Sequence, residues 1–456
     1  VMPSGGWWAG TLLLSLLCSG TVAARPKVLI LGGTGRIGSA CATHILRARC
    51  APIEVIIGGR SHRRAQAALQ EIAADARLDK GSSELRFEQC DWTDPDSLSR
   101  AIAGVDAVIH TAGPFGEQPM VLRACIDAKT PVYVDLSDPL PYIRAAKAMA
   151  ADAHAAGTCA LICAGAFPGL SNVLAMEAAS LLPPGEAVGD IDFSYFTAGL
   201  GGSGKINLYI TNEGFGTPVP TYREGVLDPS LEAGDQPRKV DFFLDDDDPS
   251  AKLVGTRTVW SWPFPEAATV ASELSIAGSS SVGMGTAPEL WNWIMTLMVR
   301  SLPRTIWRSQ LFCHSLALFS LPLVSITDRY VGETHAMRID LTGAKGSRIA
   351  AVQAHRSFRR IVGQSAAEFA LAMIRHPVSH GLEAAAAANP AGALAAELLP
   401  IPPGVWTPEE LARDPNERRS LLARMLRVEG TLNFGVRVLE YAPGTPPKRP
   451  LAVSNI

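Results

Sequence analysis

The chain has no Cys-x-x-Cys pair, and its eight cysteines (Cys18, Cys41, Cys50, Cys90, Cys125, Cys159, Cys163 and Cys313) repeat no spacing. That absence argues against a paired-thiol zinc site or a disulfide framework. Scattered thiols suit a reducing compartment. Cys159 and Cys163 share one face of either a strand or a helix, and buried free cysteines in a core are their simplest reading. No sign of charge dominates either: 41 lysines and arginines face 44 acids, a net charge of -3. Such a balance gives no global field for nucleic acid or an anionic membrane, so any charge-driven binding must be local. No lysine or arginine precedes Arg25, so the apolar stretch 7–24 lacks the basic start of a secretory signal. Residues 1–25 therefore read as an organellar leader or an extension. The four aspartates from Asp245 to Asp248 read as a solvated loop, and no metal site is expected.

What is present is apolar surface: 47% of 456 residues are hydrophobic and 19% charged, enough for two cores. Short apolar runs at 28–31, 54–57, 85–88, 107–110, 132–134 and 160–162 read as strands. Helical stretches at 37–49, 63–76, 94–103, 121–128 and 142–156 separate them. That alternation predicts parallel βαβ units with right-handed crossovers, an α/β Rossmann doubly wound sheet over 26–166. After Pro168 the pattern changes to alternation at 191–196, 205–210, 239–244 and 337–341. Those segments predict a second α+β domain over 167–456, containing a largely antiparallel sheet, for substrate or dimerisation. An alanine-rich insertion at 384–396 carries no chemistry.

The first strand enters Gly32-Gly33-Thr34-Gly35-Arg36-Ile37-Gly38 and a helix follows. In that context the glycines make a dinucleotide turn: Gly32 for the bend, Gly35 for approach of the pyrophosphate, Gly38 for helix packing. The phosphates then face the free amides of the helix start. NAD sites place an acid at the end of the second strand, whereas this chain has Gly58-Gly59-Arg60-Ser61 there and two further arginines, Arg63 and Arg64. A charge-assisted contact from Arg60 to a 2′-phosphate is worth roughly 1.5–3 kcal/mol. That favours NADP over NAD by about 10- to 100-fold. Asp91 ends the third strand, positioned either to accept from the adenine amino group or to cap the next helix. Ala112-Gly113-Pro114-Phe115 follows the fourth strand, where small residues let the nicotinamide ribose pass close by. His110, Asp135 and Asp138 lie at strand ends nearby, as acid–base candidates or as packing and capping residues, and none is assigned catalysis.

These motifs resemble the saccharopine dehydrogenase-like NADP-binding family, and within it the plant and cyanobacterial type, often plastid-located. The resemblance rests on the glycine turn, Ala112 to Phe115, Tyr133-Val134-Asp135, and Gly165 with Pro168-Gly169-Leu170-Ser171-Asn172. It continues through Phe193 to Gly199, Gly285-Thr286-Ala287-Pro288 with Trp291-Asn292-Trp293, and Pro403-Gly404-Val405-Trp406-Thr407-Pro408-Glu409-Glu410. It covers roughly 27–434. It implies the fold, an NADP(H)-dependent hydride transfer, and a plastid location. Saccharopine as substrate does not follow, because that molecule needs arginines clamping several carboxylates and no such cluster is identifiable.

Three further features bear on other classes. A short-chain dehydrogenase needs a tyrosine four residues before a lysine, yet Tyr142 and Lys147 are five apart, about 140° around a helix. A phosphate loop at Gly199 to Lys205 lacks the metal-binding hydroxyl, since Ile206 stands there, and is expected to lead into a strand. The apolar stretch 290–327 is assigned to burial in the second domain or to a homodimer contact, with peripheral membrane contact or an apolar channel as alternatives. The function expected is an NADP(H)-dependent oxidoreductase of unidentified small-molecule substrate. The alternative is a non-catalytic NADP(H)-binding redox sensor or membrane-associated assembly factor.

Overall fold

A computed structural model describes residues 25–48, 53–77, 84–199, 205–375 and 401–443. The leader, Cys18, Cys50 and the alanine-rich insertion lie outside them. Six strands, β1 (Lys27–Leu31), β2 (Glu54–Gly59), β3 (Glu84–Gln89), β4 (Ala107–His110), β5 (Val132–Asp135) and β6 (Cys159–Leu161), alternate with helices. The helices are α1 (Arg36–Arg47), α2 (His62–Ala76), α3 (Pro95–Ile102), α4 (Met120–Asp127), α5 (Leu140–Lys147) and α6 (Ala150–Ala156). The expected helix over 142–156 is therefore two helices. The break at Ala148 and Met149 coincides with Lys147 turning to the Val405 carbonyl and the Glu410 carboxylate.

All pairings in this sheet are parallel, in the order β3-β2-β1-β4-β5-β6. A seventh strand, β15 (Gly404–Trp406), joins beyond β6 from far along the chain. The order reverses between β1 and β4, which opens a crevice at the carboxyl ends of the strands. Apolar runs such as Val28 to Leu31 are fully buried, as strands covered on both faces must be.

The second sheet is built on α7 (Leu170–Ser180), β7 (Val188–Ala198), α8 (Lys205–Gly214), β8 (Pro218–Arg223), β9 (Val226–Glu232), β10 (Arg238–Asp241) and α9 (Pro249–Leu253). It continues with β11 (Thr256–Ser261), α10 (Glu266–Leu274), β12 (Ser280–Ala287), α11 (Glu289–Ser301), α12 (Arg304–Trp307), α13 (Gln310–Val331), β13 (Thr334–Gly343), β14 (Arg348–His355) and α14 (Phe358–Arg375). Its path is β10-β11-β12-β7-β13-β14-β16, with β16 at Thr431–Glu440 and the β8–β9 hairpin on β12. Every pairing is antiparallel except β12 with β7. The two halves lock where α14 crosses α1. A Cβ on Gly363 would sit 2.6 Å from the Ile37 carbonyl, so only glycine lets the backbones approach. That contact fixes the position of α1.

Two expectations are corrected. Residues 205–210 form the first turns of α8, not a strand. Leu208 and Tyr209 are buried with Cys313 and Ala317 of α13, and Asn212 donates to the Cys313 carbonyl, so tertiary packing selects helix. Residues 290–327 are buried in the second domain only in part: Trp307, Cys313 and Ala317 are buried, whereas Leu297, Leu311 and Phe319 are 68%, 78% and 73% exposed. Of the eight cysteines, the six described are all free and buried. The acidic run is used locally: Asp245 pairs with Arg437, and Asp248 caps α9.

Candidate active site

The crevice is floored by the turn between β1 and α1. Gly32 takes φ +81°, and its amide donates to the Gly58 carbonyl at 3.1 Å, binding the turn to β2. Gly38 is held by packing, because a Cβ there would collide with the Gly32 carbonyl oxygen. Gly35 is different: a Cβ would meet only that same oxygen at 3.0 Å and otherwise project into open space. Gly35 is the N-cap of α1, no side chain caps the helix, and its first turn holds no acid. This helix start, with the positive end of the helix dipole behind it, is suited to an anion. Thr34 packs on Gly59, whose missing side chain makes the room.

At the end of β2, Arg60 is exposed, and its positive charge adds to the stabilisation of the Asp91 carboxylate. The main cause of that lowered pKa is the hydroxyl and amide of Thr93, which donate to Asp91 Oδ1 at 2.7 and 3.1 Å. Asp91 therefore shapes the turn before α3; the expected alternative of a helix cap is corrected, since Asp94 caps that helix by accepting from the Asp96 amide. Ser61 caps α2 by accepting from the Arg64 amide. Arg64 lies in the first turn of α2. The structure puts it on the same groove, about 500 Å³, as Thr34, Gly35 and Arg36. The signal was its place one turn into α2, where a long side chain reaches back towards α1.

On the other side of the switch point, Thr111 Oγ1 donates to the Leu31 carbonyl at 2.8 Å and Ala112 packs on Gly32. Gly113 has no atom nearer its would-be Cβ than Phe115 at 3.8 Å, so this wall is open. The Gly113–Pro114 peptide is cis. Phe115 stands edge-on to His110 and Tyr142.

The three acid–base candidates separate. His110 is buried between Trp92 and Phe115, and burial alone drives its pKa down to about 3, so it is neutral. Asp135 is a buried hub: Tyr142 Oη, Tyr133 Oη, Ser137 Oγ and the Cys163 amide all donate to it. It holds the strand ends together and has no capacity left for chemistry. Asp138 is half-buried, and burial, followed by the negative charges of Glu213 on α8 and of Asp135, raises its pKa to about 6. It is the one group of the three poised to exchange a proton near neutrality. Tyr142 and Lys147 do not meet, since the tyrosine serves Asp135 and the lysine Glu410. Lys205 opens a helix, so the strand–loop–helix order of a phosphate loop does exist there; Ile206 still occupies the metal-binding position, and 200–204 lie outside the described residues.

Residues 28–161 match the family model for the saccharopine dehydrogenase NADP-binding domain. The cofactor of this domain is NADP. The match spans β1 to β6 and so covers the turn, Arg60 and Asp91. Over the longer chain, the structure is similar to apo histidine-tagged saccharopine dehydrogenase (L-Glu forming) from Saccharomyces cerevisiae, at 13% identity and a TM-score of 0.54. That likeness covers 91% of this chain and 100% of the yeast one, and at such identity it establishes the shared fold. A short-chain type dehydrogenase/reductase from Mycobacterium ulcerans is 18% identical, with a TM-score of 0.24 over 30% of this chain and 66% of that one. No curated protein sequence matches the chain.

Proposed function

We propose that the chain is an NADP(H)-dependent oxidoreductase that transfers a hydride to or from a small-molecule carbonyl, imine or enoyl substrate. The observation that carries this reading is the acid-free start of α1, without a side-chain cap, sharing a groove with Arg64 of α2, with Arg60 exposed at the end of β2. It supplies two separate anion sites, one for the pyrophosphate and one for the 2′-phosphate. Arg60 and Arg64 clamp the latter. Asp138 follows the carboxyl end of β5 and would supply the proton that accompanies hydride in reduction. The second-domain motifs, Pro168 to Asn172 and Gly285 to Pro288, support a place in the plant and cyanobacterial type, with a plastid location.

Titration of protein fluorescence with NADPH and NADH tests the cofactor half. NADPH should bind about 10- to 100-fold tighter, and Arg60→Ala should remove most of that preference while leaving NADH unchanged. Equal affinities in the parent, or an intact preference in the variant, would sink the 2′-phosphate assignment.

Steady-state oxidation of NADPH across imine, keto and enoyl panels tests the chemistry. Asp138 donates only when protonated, so the reduction rate should fall as pH rises through about 6. Asp138→Asn should bind NADPH normally, lose that pH step and slow about 100-fold or more. Binding without turnover across the panel would instead mark an NADP(H) sensor.

A further inference from the structure

The stretch from Leu290 to Thr327 contains no aspartate or glutamate; its formal charges are Arg300, Arg304 and Arg308. In the fold it becomes α11, α12 and α13, and both long helices turn their apolar side outward. On α11, Leu290, Trp293 and Leu297 are 63%, 62% and 68% exposed, at the spacing of one helix face. On α13 the exposed face carries Leu311, Leu318, Phe319, Leu323 and Ile326, while its inward face presents the small residues Cys313 and Ala317 to α8. Both helices are apolar inward as well, where Met295, Met298, Phe312 and Leu321 pack, so apolar residues occupy both sides. Trp291 Nε1 donates to Thr327 Oγ1 at 3.2 Å, so the two faces form one surface. The rings of Trp293, Phe319 and Tyr330 alone leave roughly 400 Å² in water, at about 200 Å² per ring. That already matches the largest patch of a typical monomer, before any leucine is added.

We infer that this surface seats the protein on an anionic lipid bilayer as a monotopic contact. The 22-residue α13 is long and apolar enough to cross a membrane, yet it is fastened along one side. Its Cys313 and Ala317 are packed, and Tyr209 stacks on His314 at 4.1 Å. A helix bound to its own domain on one face lies in the interface rather than spanning it. Charge selects the occupant. Arg300, Arg304 and Arg308 are exposed at the end shared by α11 and α13, and Glu289 and Asp328 lie at the opposite end. A two-fold contact that brings like ends of this face together sets arginines against arginines. Lipid phosphates and serine headgroups answer them directly, while the tryptophan and tyrosine suit the headgroup level. The inference stands apart from the reading of the NADP site.

The full chain should co-sediment with vesicles of phosphatidylcholine mixed with phosphatidylserine, and much more weakly with phosphatidylcholine alone. Leu318→Ser/Phe319→Ser should lose binding to both. Because those side chains are exposed, NADPH affinity serves as the check that the fold is retained. Arg300→Gln/Arg308→Gln should weaken binding to anionic vesicles roughly 30-fold while leaving the weak neutral binding unchanged. Parent protein staying in the supernatant with both vesicles overturns the inference, as does serine-variant binding equal to the parent. A dimer in sedimentation equilibrium that Leu318→Ser/Phe319→Ser dissolves, without vesicle binding, would assign the face to a second copy instead.

Discussion

Arg418→Ala should lower the unfolding free energy by about 3–5 kcal/mol, more than any surface charge substitution in the chain. Arg418, on the helix Pro415–Met425, donates from Nε to Glu177 Oε2 of α7 at 2.6 Å and from Nη1 to the Ala412 carbonyl at 2.8 Å. Both side chains are sealed, 6% and 5% exposed. Removing the guanidinium leaves a buried carboxylate without its counter-charge, which is the expensive state. The pair itself is nearly neutral in free energy, because desolvating two ions offsets their attraction. The double change Glu177→Leu/Arg418→Met should therefore recover most of the loss. Urea unfolding read by tryptophan fluorescence measures both. As a contrast, Arg123→Ala breaks an exposed pair with Asp152 and should cost under about 1 kcal/mol. A loss for Arg418→Ala as small as that for Arg123→Ala would refute the burial argument.

The pairing also explains why the C-terminal segment belongs to the architecture of both halves. Residues 404–406 extend the first sheet, Glu410 receives Lys147, and Arg418 anchors α7. None of this was legible from local sequence. A three-residue strand has no periodicity to detect, and its partner, β6, lies more than 240 residues earlier. What was legible was the first sheet, because each strand is a short buried run and each connection carries its own helix signal. The turn at Gly32 is a local feature, fixed by a single dihedral.

The misreadings have physical causes. At 205–210 the alternation of Ile206, Leu208 and Ile210 fits a strand, but Leu208, Asn212 and Phe215 equally mark one side of a helix, and the packing of α13 decides. At 290–327 apolarity was legible, but hydrophobicity reports the cost of water without naming the solvent that replaces it. The site divides in the same way. Gly35 and Gly38 were chosen by spacing, while the joining of Arg64 to the groove of Thr34 and Arg36 needs α1 and α2 side by side.

The family-like motif at Pro168 to Asn172 serves a structural role, and that leads to a pH prediction. Asn172 Nδ2 donates to Glu409 Oε2 at 2.7 Å, joining that motif to the one at Pro408. Ser171 Oγ and Tyr195 Oη donate to Glu266 Oε1 at 3.2 and 2.8 Å. Glu266 Oε2 is buried and has no partner among the described residues. Burial, to which the negative charge of Glu409 adds, raises the Glu266 pKa from 4.5 to about 7. The folded chain thus keeps a proton that the unfolded chain releases near 4.5. Between those values the native state binds more protons than the unfolded one, so stability falls as pH rises. Below 4.5 both states are protonated and nothing is lost; above 7 the full penalty, about 3 kcal/mol, is present. Glu266→Gln keeps an acceptor for Ser171 and Tyr195 and places an uncharged amide where Oε2 lies. At pH 8 it should be more stable than the parent by about 2 kcal/mol, after about 1 kcal/mol for the unpaired amide. At pH 4.5 the gain should vanish or reverse, and urea midpoints at the two pH values read the difference. Parallel pH dependence of parent and variant would mean that Glu266 already ionises at its ordinary value inside the fold.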